Sequence, residues 1–114
     1  MELRESAVEF KYGKLAAGEV NFIFRADVAA GAYKTGELLE TADGLTWTKA
    51  TDVKVGGMYA VVAGDVTLTD AGEVVCYKEG YFNANILTVN GAKATANMAK
   101  ILKTKNIFVT AVAE

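Results

Sequence analysis

Histidine is absent from this 114-residue chain, and Cys76 is its single cysteine. Without histidine the chain lacks the commonest catalytic base and the commonest transition-metal ligand. One cysteine cannot form an intramolecular disulfide. Cys76 lies within an apolar strand pattern without electropositive neighbours, so we expect a buried structural residue rather than a reactive thiol. The usual serine, cysteine and zinc chemistries lose their central residue, so we expect no enzyme activity, no metal and no cofactor.

Proline is also absent, whereas average usage would give about five or six in a chain of this length. Edge strands therefore lack one common protection against pairing with another chain. Lysine on an edge strand, or burial of the edge in an oligomer, can give the same protection.

Long apolar runs are missing as well. No run approaches the roughly 18 residues of a membrane helix. The amino terminus, MELRESAVEFKY, is charged throughout and has no apolar segment of the kind found in secretion signals. These features predict synthesis in the cytoplasm without export and no membrane partner.

The net charge is small and negative, but the two signs of charge are unevenly spread along the chain. The net charge of -2 argues against the broad basic surface of nucleic-acid binders, so we expect no nucleic-acid partner. From Gly80 to Ala113, however, there are four lysines and no acid: Lys93, Lys100, Lys103 and Lys105. Lysines in this pattern most often form a solvated helix face that matches the helix dipole.

The length suits one domain, and most of the pattern is typical of short β-strands. Apolar residues alternate with charged ones at Val8, Phe10 and Tyr12, and further β-prone runs, separated by glycine and aspartate turns, extend to about Lys78. Helical spacing begins only after Asn90-Gly91 and predicts a helix over about 92–103, followed by a last strand from Asn106. The sequence thus predicts a mainly β domain with a small α component.

Motifs that carry chemistry are not found. No glycines fall in a dinucleotide-binding or P-loop arrangement. Asp65, Asp70 and Glu73 form the tightest acidic cluster in the middle of the chain, but their spacing does not match a calcium loop, and Asp70 is more simply a turn residue. Trp47 and the tyrosines are expected to pack in the core or between subunits rather than to stack on nucleic acid.

The stretch CYKEGYFNANILT, Cys76 to Thr88, raises a question. It begins as a strand, is expected to break at Gly80, and places Asn83 and Asn85 among large apolar residues. A buried amide without partners costs about 1–3 kcal/mol, so these asparagines are expected to be either catalytic or part of a turn on which the fold depends.

The segment EGYFNANILT resembles the glycine, aromatic, asparagine and leucine turn of the head decoration proteins of lambda-like tailed phages, where it follows a central strand and precedes a helix. Three other segments are similar to that family in the same order: Val28 to Glu40, Tyr59 to Tyr77 and Met98 to Val109. The similarity covers roughly residues 25–113. One departure is Lys105-Asn106, where the family pattern has a basic residue followed by glycine. Asparagine is the next best residue for a left-handed turn.

The resemblance implies a β-clip-like decoration-protein fold that assembles as a homotrimer and binds the major capsid protein. It implies a place on the virion, at local three-fold positions on the outer surface of an expanded phage or prophage head, where the protein resists the pressure of packaged DNA. On this interpretation Gly80, Asn83 and Asn85 form a structural turn, in which the two asparagines satisfy buried backbone groups.

Two alternatives stay open at this point. Residues 1–24 are either a capsid-binding arm, with Val8, Phe10 and Tyr12 added to the edge of a partner sheet, or the first strands of the domain formed by residues 25–114. The function could also be that of a small β-rich ligand-binding module or enzyme of a bacterial host, using the acidic middle segment.

Overall fold

The computed structural model describes residues 16–110, with side chains from residue 23 onward. Residues 1–15, which include Val8, Phe10 and Tyr12 of the expected arm, lie outside the described range, as do residues 111–114. In chain order the described elements are β1 (Ala16–Val28), β2 (Gly31–Tyr33), β3 (Leu38–Thr41), β4 (Thr48–Lys49), β5 (Met58–Val62), β6 (Val66–Leu68), β7 (Gly72–Asn83), β8 (Thr88–Val89), β9 (Ala92–Lys93), α1 (Ala96–Lys103) and β10 (Ile107–Thr110).

Strand β7 is the centre of the main sheet, whose order is β1-β7-β5-β3-β4. Antiparallel β1 pairs along one side of β7. Two strands share the other side: β5 pairs antiparallel at Cys76 and Tyr77, and β10 pairs parallel from Gly80 to Asn83. We call the two ends of this strand the Gly72 end and the Asn83 end. Strands β2 and β6, and β8 and β9, form two smaller antiparallel pairs.

The sheet is covered on both faces, so neighbouring apolar residues of one strand enter two different cores. Tyr77 and Val61 face one core, while Cys76 and Val62 face the other. This explains the continuous apolar runs of β5 and β7, which are typical of strands buried on both sides. The helix-side core contains Leu38, Ala50, Val53, Tyr59, Val61, Ala63, Tyr77, Phe82, Leu87, Val89, Leu102 and Ile107. The Trp47-side core contains Ala26, Val28, Tyr33, Leu39, Trp47, Ala60, Val62, Val74 and Cys76.

Gly80 changes the phase of β7 rather than ending it. The break expected at Gly80 is wrong, because the strand continues to Asn83. Tyr77 and Phe82 face the same core although they are an odd number of residues apart, so the regular alternation is interrupted between them. The register with β1 also shifts here, and Gly80 has a φ of 145°, which is accessible mainly to glycine.

Helix α1 is shorter than expected. The sequence predicted a helix over about 92–103, but Ala92–Lys93 form β9, and Asn90 and Gly91 make the turn of the β8–β9 hairpin with φ values of 53° and 84°. Two consecutive positive φ values are typical of a tight hairpin turn and are readily adopted by Asn-Gly. Helix α1 begins after Thr95, whose Oγ1 accepts a hydrogen bond from the Met98 N–H at 3.2 Å.

The carboxyl end of α1 follows the expected pattern. Lys100 and Lys103 lie in its last turn, where positive charge suits the helix dipole. Asn106 has a φ of 64°, so the left-handed conformation expected of an asparagine at this position is confirmed. The turn directs the chain back along β7 as β10.

The expectation of a mainly β single domain with a small helical part is confirmed. The boundary expected between residues 24 and 25 falls inside β1. Within the described range, no helix is long and apolar enough to span a membrane.

Candidate functional site

Asn83 is buried at the end of β7, where it organises the turn that follows. Its side chain is 4% exposed, and its Oδ1 accepts a hydrogen bond from the Asn85 N–H at 2.9 Å. The Asn83 carbonyl accepts from the N–H groups of Ile86 and Leu87 at 3.0 and 3.1 Å. A short amide side chain suits this geometry because it can replace a backbone carbonyl within a tight turn.

Asn85 was expected to form hydrogen bonds with buried backbone groups, and this expectation is wrong. Its side chain is exposed, and its Oδ1 accepts a hydrogen bond from Lys93 Nζ at 3.2 Å. The turn made by Asn83 points the next asparagine outward, where it contacts the β8–β9 hairpin.

Gly36 fixes the same turn from the other side, a role that the sequence pattern did not indicate. Its carbonyl accepts from the Thr88 N–H at 2.8 Å, and its N–H donates to the Val62 carbonyl at 2.9 Å. A Cβ at Gly36 would collide with the Ile86 carbonyl, and its φ of 87° also favours glycine. The turn is therefore held against the edge of β5 by backbone contacts that leave no space for a side chain.

The described chain enters and leaves at the Asn83 end of the sheet. Ala16, the first described residue, pairs with Phe82, and Thr110, the last, pairs with Asn83. The segment that contains Val8, Phe10 and Tyr12 therefore connects to the domain beside the turn that carries the family resemblance.

Tyr81 and two lysines are exposed at this same end, and Phe108 is half-buried beside Tyr81. Tyr81 is 43% exposed and stacks on Phe108, with ring centroids 4.6 Å apart and planes inclined by 18°. A groove of about 290 Å³ separates this pair from α1, which contributes Lys100 and Lys103. Both lysines are exposed, and neither forms an ion pair with any residue whose side chain is described. An exposed aromatic ring beside lysines that have no ion-pair partner among the described side chains makes this region a candidate interaction surface.

The other lysines near the carboxyl end have partners. Lys93 Nζ contacts Asn85, and Lys105 Nζ donates to the Val55 carbonyl at 2.7 Å. Lys105 Nζ also lies 5.9 Å from the centre of the Tyr59 ring, where it is held over the aromatic face.

Acidic residues of the middle segment stabilise their own turns. Asp65 Oδ1 accepts from the N–H and Oγ1 of Thr35 at 2.7 and 2.8 Å, and these bonds lower its pKa. Asp43 accepts from the N–H groups of Leu45 and Thr46, which likewise lower its pKa. Among the side chains described, those of residues 23–110, histidine, cysteine and carboxylate groups form no cluster of three or more that could hold a metal.

An open cavity of about 730 Å³ lies between the loops on either side of β4. Glu40, Asp43 and Asp52 contribute carboxylates to its wall. Two of them accept hydrogen bonds from nearby backbone groups. Asp52 Oδ1 accepts from the Val53 N–H, and Asp43 Oδ1 accepts from the Leu45 N–H, both at 2.8 Å. It is a candidate ligand site, although Asp65, Asp70 and Glu73 of the acidic cluster do not line it.

Cys76 is fully buried in the Trp47-side core, so its expected structural role is confirmed. Burial raises the pKa of its thiol to about 12, which keeps the sulfur protonated and unreactive at neutral pH. Most of the aromatic residues also pack as expected: Tyr33, Trp47, Tyr59 and Tyr77 are 5% exposed or less.

A scan against protein-family models finds no matching family, and a search of curated proteins finds no significant match. The functional interpretation therefore rests on the residues and their geometry.

Proposed function

We propose that this chain is a capsid decoration protein of a phage or prophage. It binds the outer surface of the expanded head at local three-fold positions and stabilises the shell against internal DNA pressure. Its partners are two further copies of itself and the major capsid protein, and it is located on the capsid surface of the assembled virion.

The observation that carries the proposal is the position of the asparagine turn in the fold. The segment that resembles the family turn follows β7, which pairs with β1, β5 and β10 and is the central strand of the sheet. It precedes α1, and the closing segment returns beside β7 as β10. This order of central strand, turn, helix and closing strand supports the proposal, with the β8–β9 hairpin lying between the turn and the helix.

The outer edge of β1 supports assembly into a trimer. Among residues 16–110, β1 pairs with β7 on one side, and its other edge makes one isolated bridge, between Val28 and Trp47. Register shifts near Val20 and Phe22 distort the strand, which limits uncontrolled pairing, but no proline interrupts it. A ring of three copies covers such edges with closed symmetry.

The proposed role is mechanical. Asp43 and Asp65, the carboxylates with lowered pKa values, are engaged in the protein's own turns, and the buried Asn83 is engaged with backbone. These interactions stiffen a small domain, which suits a protein that bridges neighbouring capsid subunits.

Co-sedimentation tests the proposal. The purified protein is mixed with expanded and with unexpanded capsids of the phage or prophage whose genome encodes it, and both mixtures are centrifuged. We expect saturable binding to expanded capsids alone, at a multiple of three copies per three-fold position. Absence of binding to expanded capsids would reject the function. A gene neighbourhood of metabolic enzymes, without a capsid protein or head protease, would also count against it.

The trimer is tested separately by crystallography of the free or capsid-bound protein. We expect a three-fold contact that buries at least about 1,000 Å².

A ligand-binding module is the second candidate, favoured by the 730 Å³ cavity, whose size is within the usual range for ligand sites.

A further inference from the structure

We propose that the groove between α1 and β10 binds an extended acidic segment of the capsid protein. The proposal rests on the proposed function and assigns to it a contact surface and a partner chemistry. The binding segment would lie along β10, place carboxylates beside Lys100 and Lys103, and cover the Tyr81–Phe108 pair.

The backbone of β10 offers a place for strand addition. The carbonyls of Asn106 and Thr110 accept hydrogen bonds from the N–H groups of Gly80 and Ala84 at 2.9 and 2.8 Å. In a parallel ladder alternate residues bond the same neighbour, so the N–H and carbonyl of Val109 point to the outer side. An added strand obtains its affinity from bonds to such outward groups.

Helix α1 limits where the added strand can lie. Ile107 is fully buried, and α1 packs against β10, so the inner part of the edge is closed. Val109 is half-buried and lies in the wall of the groove, and no described residue pairs with the outer side of β10 there. The partner segment therefore contacts the outer end of β10 and the adjacent face of α1.

The charge of the groove selects an acidic partner. Lys100 and Lys103 project from the last turn of α1 into its wall, and the sequence from Gly80 to Ala113 contains no acid. Carboxylates on the partner would supply the missing counter-charges and increase the association rate. Because these lysines are exposed, the contribution is modest and falls as salt concentration rises.

The aromatic pair supplies the apolar part of the contact. Tyr81 and Phe108 are already stacked and lie directly across the β7–β10 ladder from one another, so little ordering is needed on binding. Tyr81, which is 43% exposed, would bury its ring against apolar side chains that alternate with the carboxylates of the added strand.

The position of the groove agrees with this partner. Ala16 pairs with Phe82 and Val109 pairs with Phe82 from the opposite side, so the amino-terminal segment joins the domain one strand away from the outer edge of β10. The groove and the proposed arm thus share the Asn83 end and can contact one partner together.

The first test uses peptide probes and isotope-labelled protein. A ten-residue peptide that alternates glutamate with valine is titrated while backbone amide signals are followed by NMR, and a peptide with lysine in place of glutamate is the control. We expect shifts concentrated at Lys100, Lys103, Phe108 and Val109 with the acidic peptide only. Equal shifts with both peptides, or shifts at the outer edge of β1 instead, would overturn the proposal.

Matched charge variants sharpen the test. Lys100→Glu/Lys103→Glu is compared with Lys34→Glu/Lys54→Glu, which makes the same charge change at exposed lysines away from the groove. We expect roughly tenfold weaker binding of the acidic peptide for the first variant and little change for the second. Tyr81→Ala should weaken binding, whereas Tyr81→Phe keeps the ring and should not. Identical affinities for the two charge variants would reject the groove.

Capsid binding separates this proposal from the proposed function. If the unaltered protein co-sediments with expanded capsids and Lys100→Glu/Lys103→Glu does so equally well, the groove is rejected and the decoration function stands. If the unaltered protein never co-sediments while the acidic peptide maps to the groove, the capsid partner is rejected and the binding chemistry stands.

Discussion

The two ends of β7 differ in their hydrogen bonds and in the side chains that they leave exposed. At the Gly72 end the loops are closed by internal hydrogen bonds: the Trp47 N–H donates to the Asp27 carbonyl at 2.9 Å, and Tyr33 Oη donates to the Ala29 carbonyl at 2.7 Å. At the Asn83 end the turn is equally well bonded, but Tyr81 and two lysines remain exposed beside the points where the described chain enters and leaves. The combination of an exposed aromatic ring with two lysines at the Asn83 end is the observation on which the proposed partner contact depends.

The sign of the charge divides the same two ends. Asp27 and Glu73 lie directly opposite one another across β1 and β7, and Asp70 is exposed in the adjacent turn. Like charges opposite one another repel, which water and nearby Arg25 offset in part. A partner with acidic segments would therefore avoid the Gly72 end and approach the Asn83 end.

The largest expected effect is on capsid binding. On the proposal that residues 2–12, which contain Val8, Phe10 and Tyr12, form a capsid-binding arm, their deletion should abolish co-sedimentation with expanded capsids and leave the melting temperature unchanged. Replacing Val8, Phe10 and Tyr12 together by serine is the full-length control and should act in the same way. Loss of folding would instead assign the segment to the core of the domain and reject the capsid-binding arm.

The next effect concerns the core beneath the Asn83 end. Leu102 is fully buried where α1 meets the sheet, so Leu102→Ala should destabilise the fold by about 2–5 kcal/mol through the cavity it leaves. Leu45→Ala is the matched control, because Leu45 is 71% exposed and its loss should change stability by less than about 0.5 kcal/mol. Denaturant unfolding measures both, and similar values would show that α1 does not anchor this end.

A smaller loss is expected at the turn itself. Asn83→Ala removes the acceptor for the Asn85 N–H and should cost roughly 1–3 kcal/mol. Asn85→Ala removes only an exposed contact with Lys93 and should change the melting temperature little. An Asn83→Ala protein with an unchanged melting temperature would reject a structural role for this asparagine.

The smallest effect is the pH dependence of the stability that Asp65 contributes through its hydrogen bonds with Thr35. Thr35 lowers the pKa of Asp65 in the folded protein, so the stabilisation from this carboxylate is fully present above its ordinary pKa of 3.8 and is lost as pH falls through the lowered value. Asp65→Asn should therefore reduce the melting temperature at pH 7, and this difference from the unaltered protein should shrink as the pH falls below 4. A difference that stays constant down to pH 2 would show that the charge of Asp65 contributes nothing.

Some parts of the fold could be predicted because they depend on a few neighbouring residues. Burial of Cys76 follows from the apolar strand around it, and the left-handed turn at Asn106 follows from the conformational preference of asparagine. The helix was predicted from its spacing, but its start was placed too early because Asn90-Gly91 also favours a tight hairpin, and the sequence alone does not show which structure forms.

The candidate site was predicted only in part. Asn83 and Asn85 were expected to act alike, yet one is buried and the other exposed, because a tight turn points neighbouring side chains in different directions. The close approach of Gly36 to the turn had no local signal, since the two segments are far apart in the chain. The groove beside Lys100 and Lys103 was also missed, because lysines on a helix look alike until their neighbours are known.

By itself, the sequence determined the β-rich composition, the turn residues and the uneven distribution of charge, since each depends on residue type and short spacing. Tertiary structure decided which residues share a face and which of the described side chains are exposed. Gly80 shows the physical reason: one shift in phase within β7 moves every later side chain to the opposite face, and the contacts with β1 and β10 fix that shift. The stacking of Tyr81 on Phe108, and the groove beside it, follow from that pairing.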